Sequence, residues 1–307
     1  MSDEPVVMAT EDGVATITLN RPHARNALDS ATLRLLPALV AEADGDAAVD
    51  VLVLTGADPA FCAGLDLKQL GSTRANLGAG AGVAAGGDAG PGAASAGVGA
   101  VAGPGSSAGR SGAGVAAGGG GEDAEDGASV AGLWRGPLPP TVKPVIGAIN
   151  GPAVTGGLEL ALACDFLVAS ERARFGDTHA RVGVHPGWGL TVLLPEAVGM
   201  RRAREMSATG RLVDAATALT WGLVNHVVPH DELLLFCRSL ADDIRSADPA
   251  VLHGMYETYG AVLDAATAGG WDAERAGTRR WRQGGGVRFD QVAERSGAII
   301  RRGSAQL

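Results

Sequence analysis

The sequence has few lysines, few cysteines and no long apolar run, and each scarcity argues against a class of protein. Lys68 and Lys143 are the only lysines among 25 lysines and arginines, and 34 acidic residues give a net charge of −9. An acidic chain does not favour nucleic acid or an anionic membrane as a partner. No uncharged apolar stretch reaches the roughly 18 residues that a membrane span requires.

The three cysteines, Cys62, Cys164 and Cys237, lie in apolar surroundings and lack the spacing of metal ligands. They are typical of small core residues in a reducing compartment rather than of a disulfide framework. The N-terminal segment Met1–Thr10 is acidic and lacks the basic and apolar parts of a secretion signal. We therefore expect a soluble, cytoplasmic protein without a metal site.

One stretch, Asn150–Asp165, has the pattern of a strand, a glycine turn and a short buried helix. The apolar run Val145–Ile149 leads into it, and Gly156 and Gly157 precede an apolar helical segment. The first N–H groups of a helix have no partner within it, and the peptide dipoles make that end electropositive. Two glycines leave these donors unshielded, and Glu159 adds a carboxylate two residues further on.

A second stretch has the same construction. Val51–Leu54 is an apolar run that ends at Thr55 and Gly56, and F-C-A-G-L-D-L follows at Phe61–Leu67. A single Gly-Gly pair before a helix mostly indicates close packing, and a glutamate in a first turn often only complements the dipole. Two such stretches in one chain favour a functional interpretation.

With three further segments, these stretches resemble the enoyl-CoA hydratase/isomerase (crotonase) superfamily. The segments are N-R-P-H-A-R-N-A-L at Asn20–Leu28, F-G-D-T-H-A-R-V-G-V-H-P-G-W-G at Phe175–Gly189 and A-T-A-L-T-W-G-L-V-N-H-V-V at Ala216–Val228. Each motif is weak alone, but five in this order are highly specific. The resemblance implies an α/β (α+β) fold, a crotonase-like spiral of ββα units with a C-terminal helical region. Periodicity alone indicates only α/β or α+β.

Periodicity also predicts individual elements. Val14–Leu19 alternates like a half-exposed strand at a sheet edge, and Ser30 is a plausible cap for a helix that contains Pro37. From Asp231 onward the pattern is helical, with one apolar face. Further strands are expected at 51–55, 145–149 and 166–169, helices at 190–198, 203–207 and 215–221, and the apolar face comprises Leu233, Leu234, Cys237, Leu240 and Ile244.

The segment Gly71–Gly132 differs from the rest in composition. It is mostly Gly, Ala and Ser without one aromatic residue, so it cannot bury enough apolar area to offset an ordering entropy of roughly 1–2 kcal/mol per residue. Since motifs on both sides must converge on one site, we predict a disordered insertion in one folded domain. The predicted division is a core over 1–70 and 133–230, an insertion over 71–132 and a helical oligomerisation region over 231–307.

The resemblance implies an acyl-CoA thioester as substrate and no separate cofactor, because coenzyme A is part of the substrate. It assigns the backbone N–H groups of Ala63 and Gly156 to an oxyanion hole, which stabilises negative charge on the thioester oxygen. Asp66 suits either a substrate-binding turn or a helix cap. The implied substrate-binding positions are Arg25, Ala27, Ala63, Gly64, Leu65, Asp66, Gly156 and Gly157.

Glu159 matches one of two glutamates with which hydratases hold and deprotonate water. At the position of the second, this sequence has His179, with Asp177 two residues earlier. On a strand the two side chains would share a face, whereas in a turn they need not. His179 could hold a loop, or it could replace the glutamate as the acid for the α-carbon and titrate near 6.5.

We therefore expect an enoyl-CoA hydratase. The alternatives are an isomerase that needs one base, another lyase or hydrolase of the family, and a non-catalytic acyl-CoA-binding protein. The resemblance also implies a homotrimer or homohexamer, in which C-terminal helices pack between subunits and approach the coenzyme's phosphates. Candidate phosphate contacts are Arg275, Arg279, Arg280, Arg282, Arg288, Arg295, Arg301 and Arg302.

Overall fold

The computed structural model describes residues 4–66, 136–267 and 269–286, together with residues 291, 295, 297 and 298. All of them belong to one of the two units into which the chain divides, residues 1–78 and 130–307. The predicted insertion over 71–132 lies outside the described residues, so its disorder and the predicted domain division stay predictions.

The described residues form nine strands in two sheets. The strands are β1 (Val6–Glu11), β2 (Val14–Leu19), β3 (Val51–Gly56), β4 (Val145–Ile149), β5 (Pro152–Val154), β6 (Phe166–Ser170), β7 (Arg174–Gly176), β8 (Val213–Asp214) and β9 (His226–Val228). The larger sheet has the order β1-β2-β3-β4-β6-β9, and the smaller has the order β5-β7-β8. In the larger sheet only the β1–β2 pair is antiparallel.

The helices surround these sheets. They are α1 (Ser30–Gly45), α2 (Gly156–Leu162), α3 (His179–Val182), α4 (Leu190–Val198), α5 (Met200–Thr209), α6 (Ala215–Trp221), α7 (Leu233–Arg245), α8 (Pro249–Ala266) and α9 (Gly270–Gln283), with short 3₁₀ helices at Pro22–Ala24 and His230–Glu232. The mixed sheet and helices confirm the predicted α/β (α+β) class.

Alternation along the strands divides the apolar core into two layers. In β3, Leu52 and Leu54 face the larger cluster, whereas Val51 and Val53 face a smaller cluster beneath α7. Leu233 and Cys237 of α7 are buried there, but Leu234 is 50% exposed. The prediction that Leu234 shares the buried face is therefore wrong.

Two further local predictions are corrected. Strand β2 is not at the sheet edge, because β1 pairs with it on one side and β3 on the other. The cap of α1 is Asp29 rather than Ser30, since its carboxylate accepts hydrogen bonds from the N–H and hydroxyl of Thr32, both at 2.8 Å. Pro37 lies inside α1.

Helix α8 differs from the other α-helices because none of its residues is buried. Four apolar side chains spaced along it are 47–62% exposed, namely Val251, Met255, Tyr259 and Val262. No helix in the described part of the chain has both the length and the apolar character needed to span a membrane.

Candidate active site

The site lies where β3 and β4 end. These parallel neighbours carry their carboxyl ends at the same edge of the sheet, and the loops that follow them meet there. Cys62 donates its N–H to the carbonyl of Pro152 and accepts from the N–H of Val154, both at 3.0 Å. The two stretches that sequence analysis selected are thus hydrogen-bonded to each other.

Close approach of these loops explains the glycines at the start of α2. A Cβ on Gly157 would lie 2.1 Å from the carbonyl oxygen of Cys62, and a Cβ on Gly64 would lie 3.3 Å from the nitrogen of Gly156. Real Cβ contacts at 2.1 Å do not occur, so only glycine fits at position 157. Gly64 also has a φ of 89°, a conformation that favours glycine.

One predicted oxyanion donor is contradicted by the structure. The N–H of Ala63 donates to the carbonyl of Arg25 at 3.0 Å, on the edge of the loop that faces away from α2. The N–H of Leu65 points to the opposite edge, because the neighbouring groups of Gly64 and Asp66 bond Leu28. Among the described residues, neither the Leu65 nor the Gly156 N–H has an acceptor.

The sequence does not reveal this arrangement, because Ala63 and Leu65 belong to the same motif. Only the pairing with Leu28 distinguishes which N–H is occupied. Gly156 remains a predicted donor, and within the described part of the chain the second N–H left without an acceptor is that of Leu65 rather than Ala63. Leu65 was predicted only as a substrate-binding position.

Two side chains hold the loop that carries these groups. Arg21 pairs with Asp66 at 3.0 Å and with Asp29 at 3.2 Å. Asn26 is 1% exposed and donates to the carbonyls of Ala57 and Ala60, both at 2.7 Å. Asp66 therefore serves the loop through an ion pair, which neither of its predicted roles included.

The predicted binding loop at Arg25 and Ala27 lies directly beside this motif. Arg25 has a φ of 51° and an exposed side chain, while its carbonyl accepts from Ala63. The carbonyl of Ala27 accepts from the guanidinium of Arg21. Both residues thus lie beside the candidate site, and their contact with coenzyme A stays a prediction.

Glu159, His179 and Asp177 form a buried acid–base cluster, with 2%, 4% and 2% of their surfaces exposed. Nε2 of His179 lies 3.3 Å from Oε2 of Glu159, and Nδ1 lies 2.7 Å from Oδ1 of Asp177. Asp177 also accepts from the backbone N–H of His179 at 3.0 Å, at the start of α3. In this turn the two side chains do meet.

The cluster favours an imidazolium. Burial disfavours the charged ring, but hydrogen bonds to Asp177 and Glu159 and their negative charges outweigh it and raise the pKa of His179 to about 9. Burial acts to raise the pKa of Asp177, but the bond from His179 prevails and lowers it. The pKa is therefore raised above the value near 6.5 that was expected if His179 acts as the acid.

The second oxygen of Glu159 binds a loop. Oε1 accepts from the N–H of Trp188 at 2.9 Å and from the N–H of Gly187 at 3.3 Å. The carboxylate is therefore fixed on one side by backbone donors and on the other by an imidazole. Since the oxygens have separate partners, the side chain is held in one orientation.

A further buried carboxylate, that of Glu274 in α9, binds the residues that follow Trp188 in the same loop. It is 5% exposed and accepts from the N–H of Gly189 and from the N–H and hydroxyl of Thr191, at 2.6 to 2.7 Å. Its negative charge thereby complements the electropositive N-terminus of α4. Glu274 was not among the predicted site residues, because nothing in the sequence distinguishes it from an exposed glutamate.

Another Asp–His–Ser group connects β6 to the end of β9. Nδ1 of His230 lies 3.0 Å from Oγ of Ser170, and its Nε2 lies 3.0 Å from Oδ2 of Asp58. Ser170 is fully buried, and its oxygen accepts from the N–H of Arg172. A hydroxyl without access to a substrate cannot act as a nucleophile, so this group ties loops together.

No group of three or more His, Cys, Asp or Glu side chains within the described ranges is arranged to hold a metal ion. Cys62, Cys164 and Cys237 are buried and form no disulfide within the described residues, which confirms the prediction of core cysteines. Burial raises the pKa of the Cys62 thiol to about 12.

Comparison with known proteins agrees with this architecture. Residues 9–82 and 107–279 match the family model of enoyl-CoA hydratase/isomerase. A probable peroxisomal enoyl-CoA hydratase of Arabidopsis thaliana is 36% identical over 239 residues, which cover 76% of this chain and 69% of that protein. A probable enoyl-CoA hydratase of Rhizobium meliloti is 33% identical over 246 residues, covering 80% and 77% of the two proteins.

The crystal structure of an enoyl-CoA hydratase from Mycobacterium avium has the same fold. It superposes with a TM-score of 0.71 at 40% sequence identity, over 92% of this chain and 99% of that one. The predicted crotonase-like fold is confirmed by this similarity.

Proposed function

Because the chain belongs to the enoyl-CoA hydratase/isomerase family, we propose that it adds water to a 2-enoyl-CoA at the site formed by Glu159 and His179. The observation that supports this most directly is the buried contact between the two side chains. Hydration needs one group that accepts a proton from water and one that gives a proton to the α-carbon. The pair supplies both.

The proposed oxyanion donors are the N–H groups of Leu65 and Gly156. Both belong to rigid backbone, where Leu65 is held by the pairing with Leu28 and Gly156 begins α2. Donors aimed at the thioester oxygen stabilise the enolate that forms when water attacks the β-carbon. One such donor typically contributes about 3–4 kcal/mol to lowering the barrier.

The acid–base steps balance within the cluster. The Glu159 carboxylate takes a proton from water while the water oxygen forms a bond to the β-carbon. The His179 imidazolium gives its Nε2 proton to the α-carbon. The proton on Glu159 then returns to Nε2 across their 3.3 Å contact. Nδ1 of His179 keeps its proton throughout, because that proton is hydrogen-bonded to Asp177. Nε2 is therefore the nitrogen that donates.

The observed pair also bears on the alternative activities. An isomerase can shuttle one proton with one base, and a protein that only binds acyl-CoA needs none. The buried contact between Glu159 and His179 instead provides a base and an acid together, which is what hydration requires. The relatives named as hydratases support the same choice.

The experiment is turnover of a panel of enoyl-CoAs in ¹⁸O-labelled water, with products analysed by mass spectrometry. A hydratase forms 3-hydroxyacyl-CoA that carries one labelled oxygen. A shifted double bond without label would identify an isomerase, and binding without any product would contradict the proposed catalysis.

We also propose a homotrimer or homohexamer, with the exposed apolar face of α8 between subunits. Four exposed apolar side chains on a helix without buried residues support such an interface. Light scattering at micromolar concentration checks this, and a monomer mass would contradict it. The predicted cytoplasmic location stays a prediction, and one relative is named as peroxisomal.

A further inference from the structure

The indole of Trp188 lies against the proposed oxyanion hole. A Cβ on Gly156 would lie 3.1 Å from Cζ3 and 3.6 Å from Cε3 of Trp188. The six-membered ring therefore packs on the residue whose N–H is a proposed donor. Trp188 is partly exposed, and its ring packs against the main core.

The same residue contacts the proposed base through its backbone. The Trp188 N–H donates to Oε1 of Glu159 at 2.9 Å, while its ring covers Gly156. Residue 188 thus spans the distance between the donor and the base. The α- and β-carbons of a bound enoyl thioester must lie between those groups, so substituents beyond the β-carbon pass beside the indole.

The backbone that carries the indole is closely packed on both sides. A Cβ on Gly136 would lie 2.1 Å from the carbonyl oxygen of Trp188, and a Cβ on Gly189 would lie 2.6 Å from two ring atoms of Trp271. The backbone on each side of Trp188 therefore lies in close contact with other segments. Moving the backbone of Trp188 would require these neighbours to move as well, so the point from which the ring projects is fixed.

Resting on the proposed function, we propose that the Trp188 side chain limits the acyl group and selects short, straight 2-enoyl-CoA substrates. Its indole forms the wall that longer or β-branched acyl groups meet. Trp188 is then a specificity-determining residue, and this role belongs to its ring rather than to the N–H that binds Glu159.

The test compares kcat/KM for crotonyl-CoA, decenoyl-CoA and 3-methylcrotonyl-CoA. Trp188→Ala keeps the N–H and removes the ring, and we expect the decenoyl to crotonyl ratio to rise about tenfold or more. Trp188→Phe keeps an aromatic ring of smaller size, so the decenoyl to crotonyl ratio should rise less. The matched control is Trp221→Ala, which removes a partly buried indole of α6 that packs beneath Arg202 and should leave the ratio unchanged.

Calorimetric binding of butyryl-CoA and decanoyl-CoA gives a readout that does not depend on turnover. In Trp188→Ala the affinity for decanoyl-CoA should rise relative to butyryl-CoA. An unchanged ratio in both assays would overturn the inference while leaving hydration intact. If wild type forms no hydrated product, the proposed function fails, and the binding ratio still decides the role of Trp188.

Discussion

The two walls of the candidate site are built from different parts of the polypeptide. The donor wall, formed by Leu65 and Gly156, offers backbone N–H groups. The acid–base wall, formed by Glu159, His179 and Asp177, offers side chains. The two walls therefore respond differently to substitution. A side-chain substitution can remove an acid or base from the acid–base wall, but it changes a backbone donor only by moving the chain.

Glu159→Gln should show the largest effect on the acid–base wall. The amide retains the shape but cannot accept a proton from water, so we expect kcat to fall by about 10²–10⁴. Affinity for a saturated acyl-CoA should stay within about twofold, since the donor wall is untouched. Both are measured by steady-state kinetics and calorimetry, and a variant with wild-type kcat would exclude Glu159 as the base.

Gly157→Ala is the matching test of the donor wall. The new Cβ would lie 2.1 Å from the carbonyl of Cys62, so the start of α2 must shift and the Gly156 N–H with it. We expect kcat to fall by about 10²–10³ together with a lower melting temperature. Gly254→Ala is the control, because its Cβ meets nothing within 4 Å. Wild-type kcat in Gly157→Ala would mean that the donor wall tolerates displacement.

The pH profile sharpens the comparison on the acid–base side. His179 must be protonated to donate, and its pKa is raised to about 9. Wild-type kcat should therefore be high below this value and fall as pH rises through it. Asp177→Asn removes a charge that raises the pKa, so the fall should move to lower pH. His179→Gln should lower kcat about 100-fold and lack this limb.

An unchanged pH limb in His179→Gln would assign the titration to another group and make His179 structural. Restored hydration in His179→Glu would instead show that the site geometry suits a second carboxylate. The two outcomes can be distinguished, because the first is read from the shape of the pH–rate profile and the second from the rate of hydration.

Glu274→Gln should have a smaller effect, since Glu274 acts on the loop that holds Glu159 rather than on the substrate. Loss of its charge weakens three hydrogen bonds at the start of α4, and we expect about 1–3 kcal/mol of lost stability. A several-fold fall in kcat with KM little changed would follow. The control is Glu257→Gln on the exposed side of α8. Equal melting temperatures for both variants would contradict the role of Glu274.

The smallest effect is expected from deletion of residues 78–128, which contribute to neither wall in our proposal. Their composition predicts that they are dispensable for folding. Joining the flanking ends with a short linker should leave the melting temperature nearly unchanged, as measured by calorimetry. A cooperative loss of structure in the deletion variant would contradict the prediction.

Sequence patterns predicted the parts of the site that depend on local chemistry. The apolar runs that became β3 and β4 and the unshielded glycines at the start of α2 are readable from residue types and spacing. The choice of Leu65 over Ala63 depends instead on which edge of a loop pairs with Leu28. That information resides in tertiary contacts, so a motif alone cannot supply it.

Three-dimensional contacts also explain the unexpected pKa of His179 and the role of Glu274. A histidine in isolation titrates near 6.5, and only the turn at the start of α3 brings Asp177 onto one nitrogen of His179 and Glu159 onto the other. Glu274 lies in a helix far along the chain, and its function depends on where α9 docks. Charge partners that are distant in sequence are invisible to periodicity.

Thr155, which immediately precedes the donor wall, limits how stable this protein can become. Its φ of 57° is unusual for a β-branched residue and costs about 1–3 kcal/mol. The conformation is held by its N–H bond to Gly176 at 2.9 Å and by a 2.5 Å contact between its hydroxyl and that of Thr178. Glycine there would relieve the strain but would free the chain that aims Gly156. Selection for heat tolerance and selection for turnover should therefore favour different residues at position 155.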